Sequence, residues 1–294
     1  MNEPTRHLAL CLDPVHIGTG GYRLGRVDMS IVRDPASGIP KIPGTSLAGA
    51  VRAYAELAKA EDNSLPDINE VFGTAEGDQG KQGMLRFYDA EILLFPVSSH
   101  LGTVWVSTAE RLTEWLDHTS SEGEDLAIPS GVQNENKVLA LRGLDAAKPV
   151  HLGWLLLETE AVQGATRTIR LSSSLTFVKR LVLVSDKLFY HLVNDHLEVR
   201  TSVAIDNETG AAKGGFLFTY EAIPRGTVIG FEVAIDSRRG GSTTEEQTLR
   251  LLRKAFATLK LLGVGGMGTR GFGRIEVLNN APEARPAGDL GGGH

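Results

Sequence analysis

The sequence predicts an α+β fold with a ferredoxin-like core that carries insertions. A strand, a helix and a strand follow one another near the N-terminus, and the same order returns near the C-terminus. No repeat of the solenoid type is present. The 294 residues are 41% hydrophobic and 22% charged, as in ordinary globular proteins. We expect one domain over residues 1–280 and a low-complexity, disordered tail over 281–294.

The spacing of apolar residues predicts the N-terminal elements. Residues 8–18 alternate as a strand does, and 27–34 form a second, short strand. Thr45 or Ser46 is placed to cap a helix whose apolar residues lie on one face. Those apolar residues are Leu47, Val51, Tyr54 and Leu57.

The next stretch alternates between polar and apolar segments. Residues 61–83 are polar and contain glycine, so we expect an exposed insertion. Residues 83–97 are a strand candidate, and Ser107–Thr108 offers a cap for a helix that reaches Trp115. Residues 118–148 are mixed in character and give no clear element, so we treat them as a second insertion.

The C-terminal half begins with a buried strand over 151–162. Ser185 is a cap for a short helix, and a hairpin follows over 203–218. Thr244 opens a helix that reaches about Leu262, and a glycine-rich segment then leads to a last strand. The residues expected to face inward from that helix are Leu249, Leu252, Phe256, Leu259 and Leu262.

Charge and composition limit the classes of function. A net charge of −6 argues against a generic nucleic-acid binder, although the cations are clustered and can form a basic face. No apolar run approaches the roughly 20 residues that span a bilayer. The one cysteine, Cys11, excludes an internal disulfide, so we expect a cytoplasmic protein without membrane contact.

Residues 16–52 combine glycines, cations and the acid Asp28 before a helix start. Glycine lets a backbone approach a ligand closely, and amides at a helix N-terminus attract anions. Arginine binds phosphate oxygens in pairs. This pattern predicts a surface for a sugar-phosphate backbone. Its candidate binding residues are Gly18, Gly20, Arg26, Lys41, Gly44, Thr45, Ser46 and Arg52.

A second glycine-rich segment, 263–274, contains six glycines, with two arginines near its end. Its amides can cradle phosphate, or it can be a tight helix-to-strand turn. It lacks the Gly-Lys-Ser/Thr of a Walker loop and lies in the wrong order for a dinucleotide fold. The candidate binding residues here are Gly265, Gly266, Thr269, Arg270 and Arg274.

Asp28 and His16 are the candidate catalytic groups. A carboxylate among cations is ionised, and it can ligate a hydrated divalent metal or orient an attacking hydroxyl. It can also be a salt-bridged strand residue. His16 is either a base or a structural histidine at a strand end. No serine-nucleophile elbow appears, so nucleophilic hydrolase chemistry is unsupported.

These motifs resemble the RAMP superfamily of CRISPR proteins. The matching segments are His16 to Gly20, Val27–Asp28, Gly38 to Arg52 and the glycine-rich 265–274. Length and the segment 205–224 are most similar to the Cmr-type backbone subunits of type III-B effectors.

The resemblance implies a modified RNA-recognition-motif-like fold with a thumb β-hairpin near 200–222. It implies several copies stacked along a CRISPR RNA, with other type III effector subunits as partners. It also implies cleavage of target RNA at regular intervals. Asp28 would act with a divalent metal, Mg or Mn, while a ribose 2′-hydroxyl attacks the adjacent phosphate. Glu221 is the further catalytic residue that carries over.

Two segments depart from the family pattern. Ala48 stands where a lysine is usual, which removes one phosphate-binding cation. Ala222 and Ile223 replace an acid and a tyrosine before Pro224, so an auxiliary catalytic tyrosine is not expected.

Three other functions remain open on the sequence. The chain can be a guide-binding scaffold in which Asp28 is structural. It can be a nuclease that processes guide precursors, with His16 as its acid–base group. A nucleotide-binding enzyme that uses the glycine segments is a third alternative, weakened by the missing motif context.

Overall fold

The computed structural model describes residues 3–20, 27–74, 80–116, 123–132, 134–205 and 212–278, with backbone alone for 204–205 and 212–217. The tip of the hairpin, Arg26 and the tail over 281–294 therefore lie outside the described residues. Within these ranges the α+β class is confirmed.

Seventeen strands and five helices are present in the described ranges. The strands are β1 Thr5–Cys11, β2 Lys41–Ile42, β3 Gly73–Thr74, β4 Lys81–Gln82, β5 Leu85–Phe87, β6 Ala90–Ser99, β7 Gly102–Ser107, β8 Gly123–Ile128, β9 Lys137–Arg142, β10 Val150–Leu152, β11 Leu155–Ala161, β12 Arg167–Ser172, β13 Leu181–Leu183, β14 Glu198–Ile205, β15 Ala212–Ala222, β16 Val228–Ile235 and β17 Ile275–Val277. The helices are α1 Gly44–Glu61, α2 Ile68–Phe72, α3 Ala109–Trp115, α4 Asp186–Asp195 and α5 Glu245–Leu262.

The ferredoxin-like core is confirmed by the topology. Its elements in chain order are β1, α1, β6, β16, α5 and β17, and its strands lie in the order β6-β16-β1-β17, all antiparallel. Beyond β6 the same sheet continues through β7, β13, β9, β11 and β10, which belong to the long insertion between β6 and β16. The insertion is thus built onto one edge of the core sheet.

Both faces of this sheet are covered. Ile92 and Phe95 of β6 belong to the larger hydrophobic cluster, which also holds the inner residues of α1 and α5. Leu93 and Leu94 belong to a second cluster with α3 and the β8–β12 pair. Because both faces are buried, β6 reads as a continuous apolar run rather than an alternating one.

Three predicted caps are confirmed. Thr108, Ser185 and Thr244 each accept a backbone N–H in the first turn of α3, α4 and α5. Thr244 and Gln247 also complete a reciprocal capping box. The cap predicted for α1 is wrong, because this helix starts at Gly44 after Pro43 and no side chain caps it in the usual way.

Three predicted strands differ from the structure. Residues 27–34 form only single bridges through Met29, Ile31 and Arg33, because their partners change along the segment. The candidate over 83–97 divides into β5 and β6. The candidate over 151–162 is a hairpin, since Gly153 turns the chain with a φ of 62°.

The exposure of some apolar side chains also differs from the prediction. Leu57 and Leu262 are more than half exposed, whereas Ala55 and Ala58 complete the buried face of α1. Within the first insertion Leu65, Ile68 and Val71 are buried, so that part packs on the core.

The predicted hairpin is present as the antiparallel pair β14–β15, which stands apart from the large sheet. We call it the thumb. Its base pairs Glu198 with Ala222 and Thr201 with Thr219. None of the helices in the described ranges combines the length and apolar character needed to span a bilayer.

Candidate functional site

The two glycine segments predicted from sequence meet at the base of the thumb. The Gly266 N–H donates to the His16 carbonyl at 2.9 Å, and Gly273 donates to Pro14 at 2.9 Å. On the other side, Val15 and Ile223 exchange two hydrogen bonds of 2.9 Å. We call this junction the Asp28 seam; it comprises residues 14–20, 27–33, 219–223 and 264–273.

A small apolar cluster lies beneath the seam. Tyr220, Ala222 and Phe272 are buried there, and Met29 and Met267 pack against them. The Tyr220 and Phe272 rings meet edge to face at 5.3 Å. These five side chains come from three distant parts of the chain, so their burial brings the segments together.

Asp28 is held by Thr219 at the base of the thumb. Its Oδ2 accepts from the Thr219 N–H at 2.7 Å and from the Thr219 hydroxyl at 2.8 Å. These two bonds favour the charged form and hold the pKa of Asp28 below its ordinary value. Asp28 is partly exposed, and among the described residues its Oδ1 receives no hydrogen bond.

His16 is built into the seam rather than displayed on it. The residue is only 4% exposed, and its Nδ1 lies 2.6 Å from the Glu221 carbonyl oxygen. A carbonyl only accepts, so Nδ1 carries a proton in this contact, and in the neutral ring Nε2 is an acceptor. A Cβ added at Gly18 would lie 3.1 Å from that Nε2, so Gly18 covers the imidazole.

Glu221 is engaged by an arginine. Its carboxylate forms a 2.9 Å ion pair with Arg33, and Arg33 is fixed further by Asn194 at 3.1 Å. The side chains of Glu221 and Arg33 are 15% and 28% exposed. This pair ties the 27–33 segment to the thumb, and its geometry favours a holding role for Glu221 over proton transfer.

The glycines of the seam serve close contact in some places and leave open space in others. At Gly265, with a φ of 87°, a Cβ would clash with the His16 carbonyl and lie 2.5 Å from Ile17 Cδ1. Among the described residues, nothing lies within 4 Å of such a Cβ at Gly20 or Gly271. Glycine is therefore needed for packing at Gly265, whereas at Gly20 no described residue fills the space.

The cations of the second glycine segment differ in their availability. Arg270 and Thr269 are exposed, and Arg270 donates to the Ser202 hydroxyl of the thumb at 3.1 Å. Arg274 forms a bidentate pair with Asp13 at 2.5 and 3.1 Å, which holds the pKa of Asp13 below its usual value. Arg270 is thus the better-placed cation for a phosphate.

The predicted anion site at the start of α1 is already occupied by a side chain. Asp89 Oδ1 accepts from the Gly44 N–H at 2.8 Å, and Asp89 also pairs with Lys41 at 2.6 Å. The Lys41 pairing lowers the pKa of Asp89. The structure therefore does not support Gly44 as a phosphate donor, and Lys41 is charge-balanced. Thr45 is exposed beside them and Ser46 is partly exposed.

Arg52 is also a structural cation. It donates to the Gly73 carbonyl at 2.7 Å, to Asn69 at 3.1 Å and to Glu56 at 3.0 Å. These bonds hold α2 and the following turn against α1. A phosphate would have to displace them, so the prediction that Arg52 binds RNA is not supported.

The oxygen and nitrogen donors of the described residues determine whether the expected divalent metal fits the site. Among the described residues, no group of three or more histidine, cysteine or acidic side chains is placed to hold an ion. Asp28 by itself offers one carboxylate oxygen, Oδ1, that accepts no hydrogen bond from the described residues. Magnesium is commonly held by one or two carboxylates with water and substrate phosphate, so Asp28 fits as a single ligand.

Sequence reasoning missed three functional partners: Thr219, Asp89 and Asp13. Each contacts a residue more than 40 positions away, so spacing along the chain gave no signal. Only for Thr219 is there an indirect signal, namely its place near the base of the predicted hairpin.

The family model described as RAMPs, the RAMP superfamily, matches residues 9–276. The chain belongs to the RAMP superfamily. The match includes both glycine segments, Asp28 and the thumb, so the predicted resemblance is confirmed.

Two curated relatives are similar over almost the whole chain. The CRISPR system Cmr endoribonuclease Cmr4 of Pyrococcus furiosus is 27% identical over 282 residues, which are 90% of this chain and 92% of the relative. The CRISPR system Cms endoribonuclease Csm3 of Methanothermobacter thermautotrophicus is 23% identical over 279 residues, covering 94% and 84%.

Solved structures show the same fold. A chain of the type III-B Cmr-beta complex bound to cognate target RNA has a TM-score of 0.67 at 18% identity, covering 94% of this chain and 96% of that one. Oligomeric Cmr4 from Pyrococcus furiosus gives a TM-score of 0.62 at 19% identity, covering 94% and 98%.

Proposed function

We propose that this RAMP protein is a backbone subunit of a type III CRISPR effector and an endoribonuclease. It binds CRISPR RNA in several stacked copies, together with other effector subunits, and cleaves complementary target RNA at regular intervals. Its relatives named Cmr4 and Csm3 are endoribonucleases, and one similar chain belongs to a complex bound to target RNA.

The observation that carries this proposal is the state of Asp28. Its carboxylate is ionised, partly exposed and held on one oxygen by neutral donors of Thr219. The charge is therefore not cancelled by a cation within the described residues. It lies at the base of the thumb, and the exposed Arg270 donates to Ser202 of the same hairpin, so a polynucleotide that reaches Arg270 can also approach Asp28.

The proposed chemistry is transesterification within the target RNA. The ribose 2′-oxygen forms a bond to the adjacent phosphorus, and the bond from phosphorus to the 5′-oxygen breaks. The products are a 2′,3′-cyclic phosphate and a 5′-hydroxyl. The hydroxyl proton leaves to water or a nearby acceptor, and the 5′-oxygen takes a proton from water.

Asp28 suits orientation better than strong base catalysis. A general base is most effective when its pKa lies near the working pH, whereas the pKa of Asp28 is lowered. Its Oδ1 can accept a hydrogen bond from the 2′-hydroxyl and align it with the phosphorus. A divalent ion, Mg or Mn, held by the Asp28 carboxylate would supply positive charge to the phosphate.

The remaining residues of the seam hold this geometry. His16 and Glu221 fix the glycine segment and the 27–33 segment to the thumb. Gly18, Gly20, Thr269 and Arg270 provide the surface on which ribose-phosphate lies. Processing of guide precursors is less well supported, because its required acid–base group, His16, is buried. We propose the cytoplasm as the compartment, since Cys11 is a buried free thiol.

The test is cleavage by the assembled complex. Complex reconstituted with guide RNA and a complementary target should give fragments at regular spacing with a 2′,3′-cyclic phosphate. Asp28→Ala should abolish the fragments while target binding stays within about twofold. Regular cleavage by Asp28→Ala would refute the catalytic role. Binding without cleavage by the wild-type complex would leave the scaffold function instead.

Asp34→Asn is the matched control. This acid lies six residues along the same segment, and donors from Ser37 and Ala36, with Lys41 at 3.6 Å, lower its pKa. It lies in a turn and does not contact the thumb through any hydrogen bond within the described residues. Its variant should cleave like wild type, which separates a site-specific loss from a general effect of removing an acid.

A further inference from the structure

Thr219 of the thumb contacts both the backbone and the side chain of Asp28. Thr219 makes three hydrogen bonds to Asp28. Its N–H and its hydroxyl both donate to Oδ2, and its hydroxyl oxygen accepts from the Asp28 N–H at 3.1 Å. The same hydroxyl is thus a donor to the side chain and an acceptor from the backbone of one residue.

Only a few side chains can make this double contact. A hydroxyl carries one donor and two acceptor lone pairs at a single atom. Valine has the same shape as threonine but neither function, and serine has both functions with less bulk. The choice of residue at position 219 therefore determines whether both bonds to Asp28 exist.

The backbone beside this contact is fixed as well. The Met29 N–H donates to the Thr219 carbonyl at 3.0 Å, and the Glu221 N–H donates to the Met29 carbonyl at 3.1 Å. Met29 and Tyr220 thereby form a short parallel β-bridge, which pairs residues 28–29 with β15. Asp28 is therefore fixed to the thumb base through its side chain and through the backbone of the next residue.

The position of Thr219 on the thumb has a direct consequence for the site. Its cross-strand partner is Thr201, and the strand continues from Thr219 into the projecting part of the hairpin. The strand that directs the thumb also sets the direction of the carboxylate. With Oδ2 held from one side, Oδ1 is the oxygen left for RNA.

We propose that Thr219 is the positioning residue for target-RNA cleavage, fixing the Asp28 carboxylate to the thumb so that Oδ1 faces the reacting ribose. This inference rests on the proposed function of Asp28. Thr219 does not touch the RNA in this scheme; it acts through Asp28. The thumb and the acid then form one unit, so the cut lies at a fixed offset from the thumb.

The first measurement uses the isolated chain and needs no cleavage. In Thr219→Val the Asp28 amide loses its acceptor, so its hydrogen exchange should accelerate at least tenfold. The Met29 amide bonds to a main-chain carbonyl and should keep its protection. Thr219→Ser should restore the Asp28 protection. Unchanged exchange at Asp28 in the valine variant would overturn the link.

The second measurement uses the complex with guide and target. Single-turnover cleavage by Thr219→Val should fall about tenfold with target affinity within twofold, and Thr219→Ser should recover most of the rate. Thr201→Val is the matched control, since it makes the same change on the facing strand, and it should cleave like wild type. Normal cleavage by Thr219→Val despite lost Asp28 protection would overturn the positioning role.

The two measurements distinguish failure of this inference from failure of the proposed function. If Asp28→Ala still cleaves, the catalytic role of Asp28 is wrong, while the exchange result still decides whether Thr219 holds Asp28. If Asp28→Ala is inactive and both Thr219 variants behave as wild type, Asp28 is catalytic and Thr219 does not position it. Should Thr219→Val fail to fold, the serine variant decides: low activity with intact Asp28 protection would overturn the proposal.

Discussion

Asp28 and Asp236 are two carboxylates with lowered pKa values and opposite surroundings. Asp28 is partly exposed and held by neutral donors of Thr219. Asp236 follows β16, its side chain is 5% exposed, and it accepts from Arg238 at 2.8 Å and from Arg239 at 3.2 Å. These arginines lower the pKa of Asp236 to about 2, and the hydrogen bond from Arg238 contributes most.

The difference shows that a lowered pKa alone does not indicate a functional site. Two arginines cancel the charge of Asp236 and fix the corner between β16 and α5. The donors on Asp28 are neutral, so its negative charge remains for a hydroxyl or a cation. Arg238 and Arg239 form a cation cluster in the sequence, yet the structure commits both to Asp236.

The largest expected effect comes from replacing the carboxylate of Asp28 or Asp236 by a neutral amide. Asp28→Asn should lower target-RNA cleavage by at least about 100-fold, since the oriented anionic oxygen is lost. Its unfolding midpoint should change little, because an amide oxygen can still accept from Thr219. Asp236→Asn should cleave normally and unfold more easily. Cleavage assays and thermal unfolding of both variants measure these effects. Normal cleavage by Asp28→Asn with lost cleavage by Asp236→Asn would contradict the prediction.

Packing of the seam gives the next effect. Gly265→Ala should destabilise the protein by about 3 kcal/mol, because the added Cβ meets the His16 carbonyl in a left-handed backbone conformation. Gly271→Ala has a similar φ of 79° and open space, so strain alone should cost about 1–2 kcal/mol. Denaturant unfolding measures both. Equal losses would show that the contact with His16 is not tight.

The cations allow a smaller effect on RNA binding. Arg270→Ala should weaken binding of a single-stranded RNA about fivefold and reduce its salt dependence by about 0.7 in log–log slope. Arg52→Ala should leave that slope unchanged, because Arg52 is bonded to Gly73, Asn69 and Glu56. Filter binding across a salt series checks both. A change in this salt-dependence slope for Arg52→Ala would show that Arg52 does contact the RNA.

The pH dependence of stability gives the smallest effect. The folded pKa of Asp236, about 2, lies below an unfolded value of about 4. Its ion pairs therefore stabilise the fold above pH ~4, and that contribution is lost as the pH falls from ~4 towards ~2. Asp236→Asn should make the unfolding free energy less steep across this window. Parallel curves for wild type and variant would contradict the assignment.

Much of the fold could be predicted because its signals are local. Thr244 with Gln247, and Ser185, mark helix starts through bonds within one turn. The thumb strands were recognised from two apolar runs that flank a turn. The segment 27–34 reads as a strand but forms only isolated bridges, since its partners Gly18, Pro40 and Tyr220 belong to three different parts of the structure.

The site was predicted in part for the same reason. Asp28, His16 and the two glycine segments were identified by residue type, and they do meet. The roles of Gly44, Lys41 and Arg52 could not be read correctly, because Asp89, Asn69 and Gly73 occupy their polar groups. Residue type gives the capacity to bind phosphate, and the neighbours decide whether that capacity is free.

Local signals in the chain are enough to give the ferredoxin-like order of elements, the family and the identity of the candidate acid. These depend on periodicity, caps and motifs, which act over a few residues. Which charges are cancelled and which remain depends on the folded protein. That outcome depends on contacts such as Asp28 with Thr219, 191 residues apart, which form when the apolar residues beneath them are buried.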